Sequence, residues 1–371
     1  MPENKVKLLV GGVEYTGWKS LSIRRSVETL CGSFEISAID PASDKAMAIK
    51  PNQACSIYLD NDLVLTGYID GFHPEVGQDS RGITMNGRCR TADLIDCSAV
   101  YKSGTWSGKV SLLKICKDLC TPFGISVEVS GVDLGSDLRN FALTTGESVF
   151  EAIQRACENR AILPVSTIDG NLRLTTAGSD RAVTSLATGH NIKSATGHWQ
   201  YEDRFSEYQV KGQTSSENGD GWGTAHVSVS GKAEDLNFPR YRPKIISADG
   251  ILTNADAQKK AAWEMQVRAG KSNTVTVVVV GWRQGDGKLW RENQLVYTSI
   301  PELRVDEDLL ISEISYMQGG DGTTSSMTLN PASIYAPEPK QIKKKKGTSE
   351  VWGGWGTGTT NTPGETNEPA Q

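Results

Sequence analysis

Apolar and polar positions alternate with a period of two through about the first 95 residues. Val6–Val10 and Leu21–Arg25 alternate, with Gly11-Gly12 as a turn signal between them. Ala54–Leu59 and Leu63–Asp70 form a clearer pair, joined at Asp60-Asn61-Asp62, residue types that favour turns. Gly82–Gly87 adds a further strand. Short strands with glycines between them predict a small barrel or sandwich for residues 1–96.

The period then changes. In Ser111–Phe123 the residues Leu112, Cys116, Leu119 and Phe123 share one helical face, and Pro122-Phe123-Gly124 stops the helix. A second helix spans about Ser148–Arg160, opened by the capping-box spacing of Ser148 and Glu151, with Val149, Ile153, Ala156 and Cys157 on one face. Asp169-Gly170 between Ile162–Ile168 and Leu172–Thr176 is a hairpin signal. Residues 97–178 therefore read as two helices on a small sheet, an α+β module.

Residues 179–336 return to strands: Tyr208–Lys211, Asn273–Val280, Leu295–Thr298, Leu309–Met317 and Ser325–Leu329. One helix interrupts them at Asn254–Ala269, with Asn254 as the N-cap. Residues 213–250, rich in glycine and serine with a short alternating run at Ala225–Val229, read as a long excursion from the domain. Asn52-Gln53 and Asn293-Gln294 each open the same sequence of strand, turn, strand, loop and strand. Any two β-meanders share that much; a true repeat would mean two related β-barrels flanking the α+β module.

From Pro337 the pattern stops. Lys340, Lys343, Lys344, Lys345 and Lys346 precede a stretch in which twelve of the last 25 residues are Gly or Thr, so residues 337–371 are expected to form a flexible tail. Trp352 and Trp355 stand out there as candidate anchors on a partner, with incidental aromatics the plainer alternative. The lysine run Lys340–Lys346, with Lys343–Lys346 consecutive, is a candidate contact for nucleic acid or an acidic protein face, with a solvated linker the default. Trp282 and Trp290, on either side of a polar glycine loop, are either a binding edge or a cap on the core.

Composition narrows the function. Thirty-nine basic against 44 acidic residues give a net charge of −5, the wrong sign for a protein that chiefly grips nucleic acid. No window has the apolar length of a membrane span, the first residues do not read as a secretory signal, and seven scattered cysteines do not make a disulfide framework. The expectation is a soluble protein made in a reducing cytoplasm, without stable membrane association.

Catalytic patterns are missing. The four histidines show no metal-ligand spacing, and Cys116 and Cys120 lie on an apolar helix face, as core thiols do. Gly104–Lys109 is one residue short of a phosphate loop, with Val110 where Ser or Thr would hold magnesium. No GxSxG motif or singled-out carboxylate pair appears. The chain is expected to be no enzyme and to need no cofactor or metal.

Several collinear segments carry a resemblance. Leu65-Thr66-Gly67-Tyr68-Ile69-Asp70, then Arg88-Cys89-Arg90-Thr91-Ala92-Asp93-Leu94-Ile95-Asp96-Cys97-Ser98, resemble the first barrel and its junction in baseplate hub proteins of Mu-like contractile-tailed phages. Glu147–Ile153 with the Asp-Gly hairpin is similar to the middle module of that family, and Asp203–Gly212 resembles the opening of its second barrel. The resemblance covers about residues 5–335 and implies a structural role. Such hubs, like VgrG-type spikes, form threefold rings in which two barrels per chain match a sixfold tail tube. It implies a homotrimer in the virion tail baseplate, joining the tail tube protein to a central, membrane-piercing spike protein beside neighbouring baseplate proteins. DNA would pass through its channel without specific binding. The alternatives are a tail-associated cell-wall-degrading enzyme and a carbohydrate-binding β module using Trp282, Trp290 or Trp352.

Overall fold

The computed structural model describes residues 5–336 apart from 40–48, 78–80, 158–159, 161, 179, 217–224, 252 and 321. The fold is mainly β. Strands β1 (Val6–Val10), β2 (Val13–Tyr15), β3 (Ser20–Ser26), β4 (Ser33–Ile39), β5 (Ala54–Leu59), β6 (Asp62–Val76) and β7 (Arg81–Cys89) come first. The middle holds α1 (Ala92–Asp96), β8 (Thr105–Val110), α2 (Leu112–Cys120), β9 (Val127–Val129), β10 (Leu138–Ala142), α3 (Val149–Cys157), β11 (Leu163–Ser166) and β12 (Leu172–Thr175). After it come β13 (Asp180–Arg181), β14 (Leu186–Ala187), β15 (Ile192–Trp199), β16 (Glu207–Ser216), β17 (Ala225–Glu234), β18 (Pro243–Ile251) and α4 (Asn254–Lys271). The chain closes with β19 (Asn273–Val280), β20 (Gln294–Ile300), β21 (Val305–Gly319) and β22 (Gly322–Asn330).

Two ladders share one order of strands. The first runs β1-β5-β6-β7-β4-β3; the second runs β13/β14-β20-β21-β22-β19-β15. Written by order of appearance, both place their strands first, fourth, fifth, sixth, third, second. The likeness extends to single residues. Asn52 and Asn293 both take positive φ, 69° and 65°, a conformation that asparagine tolerates better than most residues. Each donates its backbone N–H across to the long strand, to Ile69 O at 2.7 Å and Ile311 O at 2.9 Å. Just beyond those two isoleucines each long strand carries a bulge. The ladders differ at one end, where β1 pairs β5 antiparallel but β13 and β14 pair β20 in parallel.

The ladders are continuous with each other. β5 stops pairing with β6 at Tyr68, and β20 stops pairing with β21 at Leu310. Past its bulge, β21 is taken up by β3, with Glu313 opposite Ser26 and Gln318 opposite Leu21. One 14-stranded sheet results, and one apolar core runs through both halves, from Leu8 and Ile57 to Ile314 and Leu329. The sheet has free ends at β15 and β2, so no closed barrel forms among the described residues.

The middle module has a separate core around Leu112, Ile115, Leu119, Val149 and Ile153. Its helices start as the residues dictate: Ser111 Oγ accepts from Lys114 N, while Ser148 Oγ accepts from Glu151 N at 3.2 Å and Glu151 Oε2 from Ser148 N at 2.7 Å. Gly170, at φ 74°, turns the β11–β12 hairpin.

Residues 207–251 correct the reading of 213–250 as a loop-like excursion. β17, β16 and β18 form a separate three-stranded sheet, and α4 packs on it through Val210, Val229, Ala257 and Ala261. Gly231 permits the contact, since a Cβ there would stand 2.2 Å from the Ala257 carbonyl carbon. Tyr208–Lys211 belongs to this sheet rather than to the second ladder. The N-cap of α4 is Thr253, whose Oγ1 accepts from Asp256 N; Asn254 instead accepts from Ser230 N. No helix among the described residues is long and apolar enough to cross a membrane.

Candidate functional site

The features that bear on function are the seam between the ladders, the ion pairs that lock it, and the strand edges left over. At the seam, Arg25 on β3 points into the core and is buried. Its guanidinium meets Glu292 Oε1 at 2.7 Å and donates to Val64 O at 3.2 Å and Ser166 O at 2.7 Å. One side chain thus ties the first ladder, the middle module and the start of the second ladder. Burial alone would push the Glu292 carboxyl up, but the Arg25 charge and hydrogen bonds outweigh it and hold it below the usual carboxylate range.

A second clamp joins the hairpin tips. Arg283 contacts Asp62 at 2.6 Å and Asp60 at 2.9 Å, and donates to Leu59 O at 3.3 Å, fixing the 281–290 loop against the β5–β6 turn. Arg24 and Glu313 pair across the seam on its more exposed side. In the α4 block, Arg204 and Asp235 form a buried pair at 2.6 Å.

Several strand edges lack a partner among the described residues, among them β2 at one end of the sheet and the two that follow. One is β15, which pairs only with β19 and exposes Lys193, Ser194, Thr196, His198 and Trp199. The other is the outer half of β6, where β5 has ended and only β7 pairs; His73, Pro74, Glu75 and Val76 are exposed there. Val76 is 72% and Trp199 47% exposed, two of the twelve large apolar side chains exposed among the described residues.

The candidate contact residues fall in two places. Trp282 and Trp290 are withdrawn as a binding edge, because both are buried in the shared core. The loop between them folds inward: Trp282 Nε1 donates to Met317 O at 3.0 Å, and Tyr316 Oη donates to Trp290 O. Lys343, Lys344, Lys345, Lys346, Trp352 and Trp355 lie outside the described residues. Gly104–Lys109 falls largely within β8, and Cys116 and Cys120 are core residues of the middle module whose thiols burial pushes up, that of Cys120 to about 12. The residues that sequence reasoning missed are Arg25 with Glu292, Arg283 with its two aspartates, and the β15 edge. The Asn-Gln repeat was the one signal that pointed toward them.

Comparison with known proteins agrees with this arrangement. Residues 5–89 match the N-terminal family model of the Mu phage baseplate assembly protein GpP-like proteins, and residues 253–338 match the fourth domain of GpP. Residues 91–176 match the second domain of baseplate hub protein gp44-like proteins. The baseplate hub protein gp44 of Escherichia phage Mu is 35% identical over 93% of this chain and 92% of its own length. Among solved structures, the 43 kDa tail protein of prophage MuSo2 from Shewanella oneidensis is 31% identical with a TM-score of 0.78, covering 91% of this chain and 100% of that one. A type VI secretion component of Escherichia coli, at 12% identity and a TM-score of 0.52 over 91% of this chain and 80% of that one, shares the fold. With two edge-bearing ladders welded into one sheet and a gp44 relative along nearly its whole length, the chain belongs to the Mu-type baseplate hub family and is a structural hub protein of a phage tail baseplate.

Proposed function

We propose that the chain works as a homotrimeric ring that couples the tail tube to the spike and frames the channel through which DNA leaves. The observation that carries this reading is the repeated ladder order, β1-β5-β6-β7-β4-β3 against β13/β14-β20-β21-β22-β19-β15. A chain with two copies of one unit presents six such units when three chains assemble, so a threefold body can face a sixfold tube on one side and a threefold spike on the other. Residues 1–96 and 179–336 would supply the two barrel-like units of the ring, and 97–178 would stand as the module attached to them. The role is mechanical, with no catalytic step, in keeping with relatives that are hub and tail proteins.

The weld between the ladders suits load transfer, because Arg25, Arg283 and the β3–β21 rungs resist shear between the two halves. An acidic chain of net charge −5 also suits a DNA conduit, since like charge avoids the salt-sensitive adhesion of a basic wall. The tail with Trp352 and Trp355 or the 213–250 stretch is proposed to meet the spike or a neighbouring baseplate protein. Mass photometry of the full chain, followed by negative-stain imaging, tests the ring. The expected result is a species of three times 40.1 kDa with an open centre; a monomer at every concentration would overturn it.

A further inference from the structure

We propose that Cys31 and Cys89 form a latent disulfide site, two thiols held in contact that hydrogen peroxide closes into a covalent staple between the first ladder and the entrance to the middle module. The site goes beyond the hub reading and belongs to the single chain, so it does not need the ring.

Cys89 is the last residue of β7, and Cys31 stands two residues before β4 begins. Gly32 joins the two strands there, its carbonyl accepting from Cys89 N at 2.9 Å. The Cys89 side chain is fully buried, and its Sγ lies 3.4 Å from Cys31 Sγ. Both are free thiols, and Cys31 is only partly buried. The groups around Cys89 suit a sulfur anion. Gly32 N donates to its Sγ at 3.1 Å, Thr91 Oγ1 lies 2.9 Å from it, and Ser166 Oγ donates from 3.6 Å. The hydrogen bond between the two sulfurs pulls the Cys89 thiol below its ordinary value, helped by Thr91, Ser166 and the Arg25 charge and opposed by burial. The same bond pushes the Cys31 thiol up. The pair therefore shares one proton, and one of the two sulfurs is always a thiolate, the form that reacts.

Exposure assigns the roles. Cys31 is the sulfur an oxidant reaches, and the buried Cys89 resolves it. The proton passes from Cys31 to Cys89, and the Cys31 thiolate attacks one peroxide oxygen, breaking the O–O bond to give a sulfenic acid and hydroxide. Hydroxide takes the proton back from Cys89 and becomes water. The Cys89 thiolate then attacks the Cys31 sulfur, forms the S–S bond and expels a second hydroxide. Each sulfur gives up one electron, and the two electrons reduce the peroxide. The other thiols lack this arrangement: burial pushes up those of Cys55, Cys116, Cys120 and Cys157, and Cys97 is exposed. The staple falls where the first ladder grips the middle module. Leu30, next to Cys31, is buried in the middle module's core, and its carbonyl accepts from Thr91 Oγ1 at 3.1 Å, at the start of α1. A phage particle is assembled inside a cell and acts outside it, so its proteins pass from a reducing medium, where thiols persist, to an oxidising one, where disulfides do. The staple would close in the released particle.

The test uses the full chain carrying Cys97→Ser, which removes the exposed native thiol. The folded chain is reduced with a phosphine, desalted and treated with about one equivalent of hydrogen peroxide, then divided between intact-mass measurement, peptide mapping and a thermal melt. The expected product is about 2 Da lighter, the two hydrogens lost, with Cys31 linked to Cys89, and dithiothreitol restores both thiols. Because the bond closes a long loop of chain, the linked form should melt about 5 °C or more above the reduced one. Cys31→Ser, at the partly exposed position, is the control. After the same treatment it should show neither the mass loss nor the rise in melting temperature. A chain that gains oxygen without a link, links a different pair of cysteines or does not react overturns the site. A linked chain that melts no higher than the reduced one overturns the staple. None of these outcomes bears on whether three chains form a ring, which mass photometry reads separately.

Discussion

Arg25 and Glu292 lie 267 residues apart, yet their ion pair decides how firmly the halves are joined. Replacing one partner of a buried pair strands the other charge, at a cost of about 3–5 kcal/mol. Glu292→Gln should therefore destabilise the chain by about that much, more than Arg24→Gln on the exposed side of the seam, as urea unfolding at pH 7 would show. The carboxyl is held below its ordinary value in the fold, so its contribution is fully present above the unfolded value of about 4.3 and is lost as pH falls through the lower folded value. The native chain should lose stability below about pH 4 more steeply than Glu292→Gln, and parallel pH profiles would count against the assignment. Neither residue was singled out from the sequence: the period places Arg25 on the face of Leu21 and Ile23, but a second arginine after Arg24 reads as the polar end of the strand, and its partner lies far along the chain. The tryptophans left two readings open, a binding edge and a cap on the core, and the structure takes the second. Trp282 and Trp290 flank a glycine-rich loop, and only Met317 O and the Tyr316 hydroxyl, from a strand some 30 residues on, show that both rings turn inward.

At the scale of elements, local signals decided whether an element could be read. The capping box at Ser148 and Glu151 is reciprocal in the fold, satisfying two otherwise orphaned donors at the start of α3. Ser148→Ala should cost about 1 kcal/mol, and Glu151→Ala added to it should cost less than its separate effect, because the two bonds share one turn; thermal melts of the single and double variants would measure this. The meander strands were legible because both ends carry turn residues and one face is buried. β15 was not, since Ile192-Lys193-Ser194-Ala195-Thr196-Gly197-His198-Trp199 lacks a run of large apolar residues on one face. The 207–251 sheet was legible only in part, through Tyr208–Lys211 and the alternating run at Ala225–Val229. Its core against α4 is small, Val210 and Val229 on Ala257 and Ala261 with Ala233 and Ile246 partly buried beside them, so the apolar signal is spread thinly over three strands. Asp60-Asn61-Asp62, by contrast, marked the β5–β6 turn correctly, with Asp60 at φ 58°.

For the whole molecule, the distribution of cores sets how it comes apart. Residues of both ladders share one apolar cluster, in which Ile23 and Ile36 of the first half and Ile314 and Met327 of the second are all fully buried. The middle module has its own cluster, joined to the ladders through Leu30, the Arg25–Ser166 bond and a small apolar contact in which Val165 meets Val27 and Leu310. Cooperative units follow contiguous cores rather than order along the chain. The two ladders, separated in sequence by the middle module, should therefore unfold as one unit, and the middle module as another. In native-state hydrogen exchange, the amides of β4 and β22 should converge on the same opening free energy with the same denaturant dependence, while those of α2 and α3 follow a different line. A seam variant such as Tyr316→Ala should lower protection in β4 as much as in β22, because it opens a cavity of several kcal/mol in the core that both ladders share. Loss confined to β21 and β22 would mean that the weld is superficial and that the halves are independent domains. The proposed coupling of a tube to a spike requires the first behaviour, since a load entering one ladder must not shear it from the other.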